Sequence, residues 1–276
     1  MTGSDASKLV SGATPSQMAL YHFPGCPYSE RVEILLALKG LGAHVRDVEI
    51  DISSPRPPWL LQKTRGSTAL PALEVAEGTL RESLVILRYV EQTFPERPVT
   101  HSDPYRHAIE SILVATDSAF TIPGYQLLRY RDPARREELR GAVDAQFARL
   151  DVFLCDYGSR GDFLFDTFGW AEVAFTPLLK RMRFLEYYED YEIPRSLERV
   201  RRWQKACIEH PAAQRRTHEE IVKLYFDYSL GVGSGAIPPG RQRSSFTMNP
   251  HWSNRPMPPR DKWGPPATDA ELGLII

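Results

Sequence analysis

The chain is short of the residues that build disulfide frameworks and metal centres. Its three cysteines, Cys26, Cys155 and Cys207, are too few and too scattered for either. Seven histidines occur, none at metal-ligand spacing. An excess of one charge is missing too. Lys and Arg number 34 against 35 Asp and Glu, a formal net charge of -1, so nothing favours a nucleic acid as partner. No apolar run approaches the roughly 20 residues that span a bilayer, and no membrane association is expected. Residues 1–17 lack the basic start and apolar centre of a signal peptide and read as a disordered leader. The expected compartment is the cytoplasm, where a thiol is either inert or chemical.

What is present is enough for two cores: 276 residues, 42% hydrophobic. Residues 18–23 form an apolar strand that stops at the turn pair Pro24-Gly25. After Cys26-Pro27, Ile34, Leu35, Leu38 and Leu41 recur at helical spacing, and glycines at 40 and 42 bracket the end. Val48, Ile50 and Ile52 alternate with acids, a strand pattern. Residues 53–65 read as an irregular or partly helical connection. Residues 73–75, a turn at Glu77-Gly78 and residues 79–81 make a hairpin, and helix signals resume at Ser83. Strand, helix, strand implies a parallel pair with a crossover, and the hairpin adds antiparallel strands. This order resembles the α/β thioredoxin-like layout, over residues 18–94.

Residues 95–104 read as a linker, and 105–230 as an all-α domain. Asp103-Pro104, Asp132-Pro133, Ile193-Pro194 and His210-Pro211 each precede a helix-compatible run, with proline suited to the first turn. Residues 171–185 are apolar around much of the circumference and suit a buried central helix. Residues 231–276 hold 8 of the 23 prolines and 6 of the 18 glycines, so regular structure should be sparse there. That extension, anchored by aromatic and basic residues between Arg255 and Trp263, is expected to pack on the body. Arg129, Arg131, Arg135 and Arg136 read as a solvated basic face.

Chemistry concentrates around Phe23-Pro24-Gly25-Cys26-Pro27-Tyr28-Ser29-Glu30-Arg31. A cysteine between a strand end and a helix start sits where amides and the helix dipole favour the thiolate. Ser29 stands where a resolving cysteine would be, so the chemistry must use an external thiol. Cys155 and Cys207 lie inside helical runs and read as structural. In Thr68-Ala69-Leu70-Pro71, a proline opens a strand; a cis bond there would turn the Leu70 N–H and C=O outward for a peptide ligand, while an ordinary trans edge proline fits the dipeptide equally. Glu82-Ser83 starts a helix: the Ser83 hydroxyl and amides suit a carboxylate, Glu82 an ammonium, or Ser83 is simply a cap. Tyr225 and Tyr228 share a helix face and suit either an aromatic ligand or the core.

Cys-Pro-Tyr-Ser-Glu-Arg, Ala-Leu-Pro and Glu-Ser, in this order, resemble the omega class of glutathione transferases over about residues 18–230. A closer resemblance is to the glutathione lyases of bacterial lignin β-aryl ether cleavage. GCPYSERVEI, KTRGSTALPAL, ESLVILRY, FGWAEVAFTP, HPAAQ, RPMPPRDKWG and ATDAELGL carry it. The resemblance implies glutathione as cosubstrate, Cys26 as nucleophile, and Pro27, Tyr28, Leu70, Pro71, Glu82 and Ser83 in the glutathione site. It puts Arg56, or else Lys63, at the glycyl carboxylate, and Tyr225 or Tyr228 at the acceptor. It departs at Gly169, where related helices start with Ser or Thr. The implied reaction is thioether cleavage of a small α-glutathionyl aromatic ketone with oxidised glutathione as product, by a homodimer. A general thioltransferase or dehydroascorbate reductase would use the same thiol. A non-catalytic interaction protein on this scaffold would use none of it.

Overall fold

The computed structural model describes residues 17–275, so all but one residue of the expected leader lies outside the described part. Two compact units result. Residues through Ile50, together with Pro57–Val99, form the first; Asp51–Arg56 and the chain from Thr100 onward form the second.

The first unit runs β1 (Ala19–His22), α1 (Pro27–Leu38), β2 (Arg46–Glu49), α2 (Pro58–Lys63), β3 (Ala72–Val75), β4 (Gly78–Arg81) and α3 (Ser83–Thr93). Its four-stranded sheet has the order β2-β1-β3-β4. β1 and β2 are parallel with Tyr21 opposite Val48; β3 is antiparallel to β1, with Leu20 opposite Leu73, and β4 is antiparallel to β3. This is the mixed sheet that strand, helix, strand, hairpin dictates. The second strand departs in detail. It occupies residues 46–49 rather than reaching Ile52, because its register is set by pairing with the short β1. All four residues of β1 are buried, and α1 packs against α3; Ile34, Leu35, Ile86 and Val90 on these helices are 0% exposed.

The second unit contains α4 (Pro104–Val114), α5 (Asp117–Arg129), α6 (Arg136–Tyr157), α7 (Trp170–Met182), α8 (Phe184–Tyr188), α9 (Glu198–Glu209), α10 (His218–Leu224) and α11 (Phe226–Ser229). Every residue of α7 is buried, so it is the central helix. Its start is held from inside. Glu172 accepts from the Gly169 amide at 2.9 Å, the Leu164 amide at 2.7 Å and the Trp203 indole at 2.8 Å. The carboxylate supplies the N3 half of a capping box, the bond back to the Gly169 amide, while the half that a Ser or Thr oxygen would give to the N3 amide has no side chain at Gly169 to make it. Asp103 caps α4 by accepting from the Arg106 amide. The expected helix after Ile193-Pro194 is not there: α9 begins only at Glu198. Pro194 instead opens a turn closed by the Leu197 amide, and Arg201 takes the Ile193 carbonyl at 2.6 Å.

Among described residues 231–275, the only helical element is a 3₁₀ turn at Trp252–Asn254, yet the segment is clasped by three cations, Arg255 and Lys262 buried and Arg241 half-buried with its side chain turned inward. Arg241 bridges Asp227 and Asp269 at 3.1 and 2.5 Å. Arg255 donates to the carbonyls of Ser245 and Pro250. Lys262 lies 2.6 Å from Glu189, donates to the Leu128 carbonyl at 2.9 Å, and sits 3.7 Å over the Tyr130 ring. Burial beside Glu189 pushes the Tyr130 hydroxyl up to about 12. The arginines expected to form one solvated face divide instead among separate partners: Arg129 over Tyr228, Arg131 over Trp263, Arg135 on Glu138 and Arg136 on Glu189. Helix α5 ends before Arg131 and α6 begins at Arg136, so no common face exists.

Candidate active site

The first unit brings the cysteine, the proline loop and the start of α3 into one construction. Cys26 is the N-cap of α1, in extended backbone, with Pro27 at the first helical position. Its amide closes a turn onto the Phe23 carbonyl at 2.9 Å, and its carbonyl receives the Glu30 amide at 3.1 Å. The backbone is therefore pinned on both sides of the thiol. The side chain is half-buried and carries no disulfide. Its Sγ lies 3.7 Å from the Leu70 carbonyl oxygen, and the Leu70-Pro71 bond is cis. Leading into that bond, Thr64 donates to the Ser67 carbonyl at 2.6 Å, and Ser67 accepts from the Ala69 amide at 3.2 Å. Pro27 and Pro71 are buried, whereas Tyr28 is exposed and Leu70 half-buried. The thiol thus faces a peptide edge that the hairpin holds in place.

Ser83 is the first residue of α3 and follows Glu82, which is exposed and held at φ +66. No side chain caps this helix, so its first amides lack intrahelical partners, and a helix start of this kind suits an anion. Ser83 is buried, and its Oγ accepts from the buried Arg31 at 3.3 Å. Arg31 lies within the cysteine motif but drew no role from the sequence. Its only advance signal is its place five residues after Cys26, on the face of α1 that turns inward.

Lys63 pairs with Glu74, and the other oxygen of that carboxylate accepts from the Tyr21 hydroxyl. The bond to Glu74 raises Lys63 above the ordinary lysine value. Its charge is thereby committed to the sheet. Arg56 belongs to the second unit, donates to the Ser54 carbonyl at 3.4 Å, and is lowered by burial.

Tyr225 and Tyr228 also belong to the second unit, with ring centroids 5.8 Å apart. Tyr225 is buried, and its hydroxyl lies 3.4 Å from that of Tyr125. Tyr228 is half-buried; its ring lies 4.5 Å below the Arg129 guanidinium, which donates to its hydroxyl oxygen at 3.4 Å. Phe184 and Phe246 pack around the pair. Tyr125 and Arg129 were not legible as members of this cluster, since they come from α5, a hundred residues upstream. Trp170 and Tyr188 are core, the latter donating to the Val222 carbonyl at 2.8 Å, while Tyr187 ties to Pro258 at 2.5 Å. Among the described residues, no group of three or more metal-ligating side chains occurs.

A mixed β2-β1-β3-β4 sheet with a half-buried cysteine at the start of its first helix, beside a cis-proline loop, defines a thioredoxin-like class. Two domain families carry that further. The glutathione S-transferase N-terminal domain matches residues 20–98 and the glutathione S-transferase C-terminal domain residues 133–206, together more than half of the chain. The chain belongs to the glutathione S-transferase family, whose co-substrate is glutathione. It is 23% identical to mouse glutathione S-transferase omega-1, over 83% of this chain and 93% of that one. It is 28% identical to Arabidopsis thaliana glutathione S-transferase L1, over 81% and 90%. The fold is similar to that of rice GST1 in complex with glutathione, with a TM-score of 0.68 and 20% identity, covering 79% of this chain and 98% of that one. No helix among the described residues is long and apolar enough to cross a membrane.

Proposed function

We propose that this enzyme is a glutathione lyase that cleaves α-glutathionyl aromatic ketones of the kind derived from lignin β-aryl ethers. The observation that carries the reading is Cys26: a thiol at the N-cap position of α1, beside the Leu70 carbonyl, with Ser29 where a second cysteine would stand. Such a thiolate is a nucleophile without an internal resolving partner.

The Cys26 thiolate attacks the sulfur of the substrate thioether. A bond forms between Cys26 Sγ and the glutathionyl sulfur, and the carbon–sulfur bond breaks with its electron pair left on carbon. The ketone next to that carbon delocalises the pair as an enolate, and protonation yields the free ketone. A second glutathione thiolate then attacks the Cys26 mixed disulfide, restoring the Cys26 thiolate and leaving as oxidised glutathione. The net change is thioether plus glutathione to ketone plus disulfide.

The Leu70 backbone, Ser83 and Glu82 bind the two ends of glutathione's γ-glutamyl-cysteinyl part, with Pro27, Tyr28 and Pro71 shaping the surround. Arg56, or else Lys63, which also holds Glu74, takes the glycyl carboxylate. Tyr228 donates to the enolate oxygen. Its oxygen accepts from Arg129, which leaves its own proton for an outside acceptor, whereas Tyr225 faces Tyr125. The enzyme works in the cytoplasm as a homodimer. Tyr105 and Ile112, seven apart on one face of α4 and 70% and 53% exposed, support self-association.

Anaerobic turnover of a glutathionylated aryl ketone tests the reading. One oxidised glutathione and one sulfur-free ketone are expected per thioether cleaved, and Cys26→Ser is expected to abolish cleavage. Cleavage without matching oxidised glutathione, or a Cys26→Ser enzyme that still cleaves, would falsify it. Turnover of disulfides or dehydroascorbate alone would make it a general reductase.

A further inference from the structure

The most unusual group near the site is a cation with almost no contact with water. Arg31 is 1% exposed. Helices α1 and α3, which it links, already pack together, and Val32, Leu35, Ile86 and Leu87 on them are all 0% exposed. An apolar side chain of similar volume would join them with less desolvation than a guanidinium. What the arginine adds is directional. Its Nη1 donates to the Ser83 Oγ at 3.3 Å, and its Cζ lies 5.0 Å over the ring of Tyr28. One lone pair of the Ser83 oxygen is thereby occupied, so the hydroxyl hydrogen is directed away from Arg31. The fixed hydroxyl sits on the first turn of an eleven-residue helix with no side-chain cap, next to a buried positive charge.

We propose that Arg31 is a positioning residue for the γ-glutamyl α-carboxylate. It holds Ser83 as a donor to that carboxylate. This rests on the glutathione reading above and goes beyond it in making the cysteine motif's own arginine responsible for which end group the α3 start accepts. Guanidinium and hydroxyl act as one unit, so removing either removes the same recognition.

The experiment compares two ligands that differ at one group: glutathione, and glutathione amidated at its glutamyl α-carboxylate. Both are titrated calorimetrically against wild type, Arg31→Met, Arg31→Lys, Ser83→Ala and the Arg31→Met/Ser83→Ala double variant. Arg31→Met is expected to weaken glutathione by about tenfold or more and the amide by less than about threefold. The double variant is expected to bind glutathione no more weakly than the weaker single one. Arg31→Lys keeps the charge but loses the planar fork, and should lose about threefold to fivefold on glutathione alone. Equal losses on both ligands, or additive losses in the double variant, would show a purely structural arginine and overturn the proposal. If Arg31→Met does not fold, the lysine variant decides it: no loss, or the same loss on both ligands, overturns it. A wild type that binds no glutathione would instead refute the underlying reading.

Discussion

At the scale of single residues, three thiols occupy three environments. Cys26 is half-buried at a helix start, Cys155 is exposed on α6, and Cys207 is fully buried on α9. Burial pushes the Cys207 thiol well above its ordinary value, so it should be inert in the native protein. If exposure governed reactivity, Cys155 would be modified first; if placement at a helix start governs, Cys26 is modified first despite being less accessible. Iodoacetamide at neutral pH, with sites assigned by mass spectrometry, is expected to label Cys26 fastest, Cys155 more slowly and Cys207 only after unfolding. Labelling of Cys155 ahead of Cys26 would contradict the role given to the α1 start. Cys26 was legible in the sequence because its context is local: strand, turn, cysteine, proline, helix. Arg31 was not, because its partner lies fifty-two residues away and only the crossover from α1 to α3 brings them together.

At the scale of elements, two carboxylates hold structure that propensity leaves open. Glu172 satisfies two backbone amides and one indole at the start of α7. Its replacement by alanine strands three buried donors and is expected to cost about 3 kcal/mol or more, whereas glutamine, which keeps an acceptor, should cost about 1–2 kcal/mol. Urea denaturation measures both; equal effects would show that packing, not hydrogen bonding, matters there. Glu74 ties α2 to the sheet through Lys63 and Tyr21, and those hydrogen bonds hold it below the ordinary carboxylate value. A carboxylate lowered on folding stabilises fully above its unfolded value, about 4.3, and loses that contribution as pH falls through the folded one. Glu74→Gln should therefore lower the thermal midpoint at neutral pH, and the gap to wild type should narrow as the pH falls below about 4.3. A gap independent of pH would remove the ionic part of this account.

At the scale of the whole chain, residues 231–275 show how order arises without regular structure. Lys262 is buried against Glu189, two α5 carbonyls and Tyr130. Lys262→Met is expected to cost about 2–3 kcal/mol, below the usual cost of breaking a buried pair, because Arg136 and Tyr130 remain on Glu189. Limited proteolysis should then cut beyond residue 231 faster than in wild type. Unchanged cleavage would mean that Arg241 and Arg255 hold the segment by themselves.

The sequence by itself determined the class of fold, since period-two and period-3.6 patterns and turn residues are local and each element reports its own buried face. It also marked Cys26 through its neighbours in the chain, and left Leu70-Pro71 and Ser83 each open between a ligand contact and an ordinary turn or cap. Tertiary structure alone decided partnerships between distant charges and rings. It sent Lys63 to Glu74, divided the arginines near residue 130 among four partners, set Arg129 over Tyr228, and brought Glu172 to the Leu164 and Gly169 amides and the Trp203 indole. A buried ion or hydrogen-bonding group is stable only where its counterpart has been brought close enough to replace water. That closeness is a property of the folded chain, and no residue type or spacing encodes it.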